Sequence, residues 1–357
     1  MSIESLARPE IVAMKAYSSA RKEAPASGVL LNANELPWSM LENTDFNRYP
    51  DPQPEKLVTG LARLYQVAPE KLLVTRGSDE GIDLLTRVFC RAGADAILHC
   101  PPTFGMYKIA AQTQGAEIIS VPRLAEEGFR MNQERIIEAL ETDTRIKLVF
   151  LTSPNNPTGD VIDADFLLKM LEATAGKALI VVDEAYAEFC RHPSAIALIE
   201  HFENLVVLRT LSKAWAAAGL RCGAVLAQEP VISLLRRIIA PYPLPSPVVS
   251  LACRMLEKDM LIRQQALLSE VQRNKAALIS MLENRSFVLE CWPGEANFIL
   301  IKTARARDLL EFCANREVIL RGYAGEPDLR DCIRISVGSA EELSALGSAL
   351  DAWEAAE

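Results

Sequence analysis

From about residue 55 to 228, short runs of apolar, β-branched residues alternate with stretches whose apolar positions recur every three or four residues. The runs predict strands at Leu72–Thr75, Ala96–Cys100, Glu117–Val121, Lys147–Thr152, Leu179–Asp183, Leu205–Arg209 and Cys222–Ala227. Between two of them, Asp79–Cys90 sets Ile82, Leu85 and Phe89 on one face of a helix. Strands alternating with helices predict an α/β fold: a mostly parallel sheet covered by helices on both faces, with ligands at the C-terminal strand ends. The segment Ala240–Pro247 has a proline at every second position, which neither a regular helix nor a central strand tolerates, so it marks a boundary between lobes. Beyond it the pattern predicts a helical stretch from about Val248 to Asn284 and strands Phe287–Cys291 and Asn297–Ile301. A helix through Leu309 and Phe312, strands Val318–Arg321 and Cys332–Val337, and a final helix from Ala340 complete an α+β unit. The expected organisation is an N-terminal arm over 1–45, without clear periodicity, a large domain over 46–247 and a smaller C-terminal domain over 248–357.

Composition narrows the function. The 357 residues are 50% apolar, enough for two lobes, since single cores split beyond about 250–300 residues. A net charge of −9 argues against a nucleic-acid partner, which calls for a basic excess. Three scattered histidines make a His-rich metal centre a poor expectation, and no metal is assigned. No run reaches the ~18 apolar residues of a membrane span. The eight cysteines form no CxxC pair, and the first residues carry no basic-then-apolar leader. Buried, reduced thiols in a cytoplasmic protein are the expectation.

Five strand-end segments carry candidate chemistry. Thr75–Gly81 turns a strand into a helix, and Gly77, Ser78 and Asp79 there form either an ordinary cap or an anion site. Pro101–Tyr107 presents Phe104, as core or as a flat stacking surface. Ser153–Gly159 is a constrained loop presenting Asn155 and Asn156, either a structural turn or a ligand clamp. The apolar strand Ala178–Val182 runs into Asp183, whose carboxylate costs desolvation energy unless a cation or donor meets it. Lys213 follows a strand among small and apolar residues, where burial makes an amine a usable nucleophile, and Arg221 comes soon after. An amine, a carboxylate, an arginine and an Asn-Pro-Thr-Gly loop together are what pyridoxal phosphate chemistry needs.

In these strings the chain resembles the fold-type I pyridoxal-phosphate-dependent aminotransferases, and among them the histidinol-phosphate aminotransferase group. The resemblance rests on Leu31–Glu35, Arg48–Pro50, Arg76–Glu80, Ser153–Gly159, Asp183–Tyr186, Thr210–Lys213 and Gly219–Arg221, and spans essentially the whole chain. It implies pyridoxal 5'-phosphate as cofactor and Lys213, Asp183 and Tyr186 as catalytic residues. Lys213 would bind the cofactor as an imine and then move the proton. Asp183 would pair with the pyridine nitrogen. Asn156 and Tyr186 would contact the ring oxygen, and Phe104 would stack on the ring, where a tyrosine is often found. Ser78, Asp79, Ser212 and Arg221 would hold the phosphate. Tyr49 would reach the active site of the neighbouring subunit, which implies a homodimer. Arg334, Arg321, Tyr17 and Asn34 would bind substrate. The implied reaction passes an amino group between L-histidinol phosphate or imidazole-acetol phosphate and glutamate or 2-oxoglutarate, in L-histidine biosynthesis. A threonine-phosphate decarboxylase and an aromatic or aspartate-type aminotransferase share most of these strings and are the alternatives.

Overall fold

The computed structural model describes residues 2–15 and 28–356. Its larger sheet holds β1 (Leu72–Thr75), β2 (Ala96–His99), β3 (Glu117–Ser120), β4 (Ile146–Thr152), β5 (Leu179–Asp183), β6 (Leu205–Thr210) and β7 (Gly223–Ala227). They lie in the order β1-β7-β6-β5-β4-β2-β3. The pairs from β3 across to β6 are parallel, and β7 runs antiparallel to both of its neighbours. The C-terminal ends of β1, β2, β4, β5 and β6 therefore reach the same edge of the sheet, and β7 begins there. Side chains alternate between two apolar layers. Leu72, Val74, Ile180 and Val182 face one core, while Leu73, Leu179 and Val181 face the other. Burial on both faces explains why these strands read as unbroken apolar runs instead of alternating ones.

The helix Gly77–Phe89 follows β1 directly, and its buried stripe, including Ile82, Leu85 and Phe89, packs on the second layer. The N-terminal segment contributes more than an arm. A 3₁₀ turn at Ile3–Leu6 and a short helix at Pro9–Ala13 bury Ile3, Leu6 and Ile11 against that same layer.

The smaller sheet holds β8 (Glu290–Trp292), β9 (Phe298–Lys302), β10 (Arg321–Gly322) and β11 (Cys332–Ser336), antiparallel in the order β10-β11-β9-β8. Helices Ala306–Ala314 and Ala340–Glu354 cover one face, the second opened by a capping box between Ser339 and Glu342.

Three local expectations shift. The single helical stretch after Val248 is two helices, Ser246–Met255 and Lys258–Glu283. Leu256 leaves the first helix and fills the space over Gly60, where a Cβ would lie 2.8 Å from Leu256 Cδ1. The break lets the first helix rest on Glu55–Tyr65 while the second crosses between the lobes. Leu261, Leu268 and Val271 lean on the large core, and Leu278 and Leu282 belong to the small one. The strand expected at Phe287–Cys291 begins at Glu290, because Val288 N–H closes a turn on Arg285 C=O and Phe287 turns into the small core. The one expected at Val318–Arg321 is reduced to Arg321–Gly322.

The lobes meet at a few contacts beside the sheet edge. Phe129 packs edge-on against Trp292 with centroids 5.0 Å apart, and Tyr186 against Phe298 at 5.3 Å. The Ser153–Gly159 loop touches the small lobe backbone to backbone, with Glu295 N–H donating to Gly159 C=O at 2.7 Å. A Cβ on Gly159, whose φ is +75°, would lie 2.8 Å from Gly294 Cα, so only glycine permits that approach. Among the described residues, no helix is long and apolar enough to cross a membrane.

Candidate active site

At the shared strand edge a cleft of about 300 Å³ opens between the lobes. It gathers Ser78, Asp79, Phe104, Asn156, Asp183, Tyr186, Ser212, Lys213, Arg221 and Arg334 from seven separate stretches of chain.

One end is an anion cradle. β7 pairs with both β1 and β6, with Gly223 opposite Thr75 on one side and Thr210 on the other. A Cβ on Gly223 would lie 2.7 Å from the Gly77 carbonyl carbon and 2.8 Å from Ser78 N, so the glycine lets the helix start settle onto the strand. The helix Gly77–Phe89 thus points its free N–H groups and positive end into the cleft. Arg221 closes the cradle. One Nη donates to Asp79 Oδ2 at 2.9 Å, and the other to Ser212 Oγ and Ala218 C=O, both at 3.1 Å. The Asp79 side chain thus holds the arginine, leaving its backbone at the helix start for the anion.

The middle of the cleft holds Asp183, Lys213 and Tyr186. Asp183 ends β5 and is buried; Tyr107 Oη donates to its Oδ2 at 2.8 Å, and Ala185 N–H to its Oδ1 at 3.1 Å. Burial nevertheless pushes its pKa up from 3.8 to about 6; the two hydrogen bonds work against that rise, and the charges of Asp79 and Glu184 add to it. Lys213 is open to the cleft but walled by protein, and its amine pKa is lowered, first by desolvation and then by the positive charge of Arg334. Its Nζ lies 5.5 Å from the Tyr186 ring centroid. The Tyr186 phenol is pushed up to about 12, chiefly by burial.

Arg334, on β11, reaches across from the small sheet. Its Nη1 donates to Asn156 Oδ1, and the guanidinium lies 5.3 Å from the Phe298 ring centroid. Its Nε is buried without a partner, so donor capacity remains once Asn156 is met. Asn155 does not face the cleft: it is fully buried, accepting from Thr103 and donating to Pro102 C=O and Thr158, which makes it the internal brace of the loop.

Three predicted positions lie elsewhere. Tyr49 and Asn34 line a separate cleft of about 410 Å³, where Tyr49 stacks on Tyr242 at 4.5 Å. Arg321 sits opposite Arg334 in the β10–β11 register but outside the cleft lining. Tyr17 falls outside the described residues. Conversely, Thr152 and Thr210 line the cleft and Tyr107 bonds Asp183, and sequence reasoning passed over all three. Their signal was faint: a hydroxyl as the last residue of an apolar strand, and a tyrosine one helical turn beyond Phe104.

These groups fit pyridoxal phosphate. A helix start, a serine and an arginine suit its phosphate, a buried carboxylate its ring nitrogen, an aromatic face its ring, and an unpaired amine its aldehyde. The profile of the aminotransferase class I and II family matches residues 15–350, and the chain belongs to that family of fold-type I, pyridoxal-phosphate-dependent transaminases. Among its relatives, histidinol-phosphate aminotransferase 1 of Pasteurella multocida is 42% identical over 96% of this chain and 97% of its own. The histidinol-phosphate aminotransferase of Cronobacter sakazakii is 41% identical over 98% of this chain and 97% of its own. The fold is shared with the solved histidinol-phosphate aminotransferase from Clostridium acetobutylicum, with TM-score 0.80 and 20% identity over 88% of this chain and 92% of that one. It is also shared with the Sinorhizobium meliloti enzyme in complex with pyridoxal-5'-phosphate, with TM-score 0.77 and 23% identity over 86% and 82%.

Proposed function

We propose that this aminotransferase passes the amino group of glutamate to imidazole-acetol phosphate, giving L-histidinol phosphate and 2-oxoglutarate, in the cytoplasmic synthesis of L-histidine. The observation that carries the reading is the joining of Lys213, Asp183 and the anion cradle with Arg334 in one cleft. The names borne by relatives at 41–43% identity support the substrate.

Pyridoxal phosphate, when bound, supplies the electron sink that stabilises a carbanion at the amino-bearing carbon. Residues 46–247 would hold it: the helix start at Ser78 and Asp79, with Ser212 and Arg221, would bind its phosphate, Phe104 would cover its ring, Asp183 would accept from its ring N–H, and Asn156 and Tyr186 would meet its ring oxygen, all of them residues that line the cleft. Lys213 moves the proton. Its lowered pKa makes the neutral amine available, and Nζ would take the proton from the amino-bearing carbon of the donor and, in the second half of the reaction, deliver one to the former keto carbon of the acceptor. Arg334, from residues 248–357, grips the anionic end of the substrate. The planar guanidinium suits a carboxylate or a phosphate alike, so one pocket serves both substrates. In this reading Arg321, paired with Arg334 across the small sheet, and Asn34, beside Tyr49 in the separate cleft, would reach the substrate from outside the cleft lining.

The test is a set of half-reactions in which purified protein loaded with cofactor meets one amino donor at a time. Histidinol phosphate and glutamate are expected to bleach the cofactor's visible absorbance, and phenylalanine and threonine phosphate to leave it. Bleaching by phenylalanine but not histidinol phosphate would give an aromatic aminotransferase. Release of carbon dioxide from threonine phosphate would give a decarboxylase.

The active unit in this reading is a homodimer in which Tyr49 enters the neighbouring site. Large apolar side chains exposed along the same segment, among them Leu31, Trp38 and Met40, support a covered face there. Two inactive variants, Tyr49→Ala and Lys213→Ala, mixed and refolded together, are expected to regain part of wild-type turnover, because one site of each hybrid is intact. Mixtures as inactive as their parents would argue for sites built within one chain.

A further inference from the structure

Tyr107 lies behind the cleft and is fully buried, its ring stacked on Phe150 at 4.8 Å and 7°. Its hydroxyl is 2.8 Å from Asp183 Oδ2 and 2.7 Å from Thr152 Oγ1. Thr152 in turn is 3.1 Å from Thr103 Oγ1, which donates to Asn155 Oδ1 at 2.7 Å. A row of hydroxyls thus connects the Asp183 carboxylate to the brace of the Ser153–Gly159 loop.

The protons in this row have a direction. An amide oxygen only accepts, so Thr103 gives its one proton to Asn155. An ionised carboxylate only accepts, so Tyr107 gives its proton to Asp183. Thr152 then donates to Tyr107, and no proton is left between Thr152 and Thr103. A protonated Asp183 reverses the row: it donates to Tyr107, Tyr107 to Thr152 and Thr152 to Thr103. The charge on Asp183 therefore selects one of two proton orders, and a donating Tyr107 favours the charged one.

Several groups face this carboxylate. Asp79, from the helix after β1, and Glu184, its chain neighbour, push a proton onto it, while Lys213, from the segment after β6, draws one off. Tyr186 sits beside it in the cleft wall. Tyr107 is the side chain that donates to it directly, and burial holds that phenol proton well above its ordinary range.

We propose that Tyr107, backed by Thr152, is a positioning residue that keeps Asp183 an oriented carboxylate facing the ring of the cofactor. The inference rests on the reading of Asp183 as the partner of the cofactor's ring nitrogen. Its test compares full-length wild type, Tyr107→Phe, Thr152→Val and Asp183→Asn, each titrated with pyridoxal phosphate and assayed across pH. Tyr107→Phe keeps the ring and its stack on Phe150. Losing one hydrogen bond to a charged group is expected to raise its cofactor dissociation constant about tenfold. Its kcat is expected to fall with little change in KM, and the acid limb of kcat to move up by about one pH unit. Thr152→Val is expected to change both in the same direction but less. Wild-type cofactor affinity and an unmoved acid limb in Tyr107→Phe would overturn the proposal while Asp183→Asn remains impaired. If Asp183→Asn is itself unimpaired, the reading of Asp183 fails first and the proposal with it. Should Tyr107→Phe not fold, a Thr152→Val enzyme matching wild type in both measurements overturns the proposal.

Discussion

Lys213→Ala is expected to lower turnover by at least about 10⁴-fold while leaving the fold intact, the upper range for removing a general acid–base group. Among the described residues that line the cleft, Lys213 carries the one primary amine. Its side chain makes no hydrogen bond that alanine would leave unmet within the protein, and it projects into open space, so the cost falls on chemistry and not on stability. In the proposed reading two functions go together: covalent attachment of the cofactor, and proton movement at the substrate carbon. Wild-type protein with pyridoxal phosphate is expected to show a visible absorbance that borohydride fixes, with the added mass on the peptide that holds residue 213. In Lys213→Ala the cofactor is expected to be released on dialysis and no fixed label to form. Turnover within tenfold of wild type, or a label on another lysine, would remove Lys213 from its role.

Asp183→Asn is expected to lower kcat by about 10²–10³-fold, the size of losing one preorganised electrostatic partner. Asparagine keeps the shape and can still accept from Tyr107, but it brings no charge to hold a proton on the ring nitrogen. The same variant reads out through pH. Burial raises the folded pKa of Asp183 from 3.8 to about 6, so the folded chain without cofactor holds this proton more tightly than the unfolded chain does. A raised pKa adds stability that is fully present below 3.8 and is lost as pH rises through about 6. The melting temperature of cofactor-free wild type is therefore expected to fall across that window relative to Asp183→Asn, which has no proton to lose. Parallel melting curves for the two proteins across the window would show that Asp183 is not the titrating group.

Much of the site was legible in local sequence. The strands at Leu72–Thr75 and Leu179–Asp183 have the residues predicted, because a run of buried β-branched side chains ended by polar or glycine residues leaves little freedom in where a parallel strand stops. The chemistry-bearing residues sit on those stops, so placing the strands also placed Asp183, Asn156 and Lys213 near one edge. Tyr107 and Thr152 were passed over for the opposite reason. A tyrosine in an amphipathic helix and a threonine at a strand end are ordinary core residues until the partner of the hydroxyl is known, and that partner lies 76 residues away in one case and 45 in the other. The small lobe was less legible. Its strands are short, and the turn at Arg285–Val288 depends on Phe287 finding the small core, which no local pattern reports.

By itself, the sequence determined the alternation of strands and helices, the chemical identity of the groups at the strand ends and the glycines that let backbones approach. These are local properties, set by side-chain shape, burial period and turn geometry. Only the tertiary structure decided which ends are neighbours. Inserting β7 between β1 and β6 brings Arg221 to Asp79, 142 residues away in the chain, and folding the small sheet against the large one brings Arg334 to Asn156, 178 residues away. Those meetings depend on how two buried layers and a crossing helix share their apolar surface. That is a property of the whole chain, because each strand gains its full burial only when the others are already beside it.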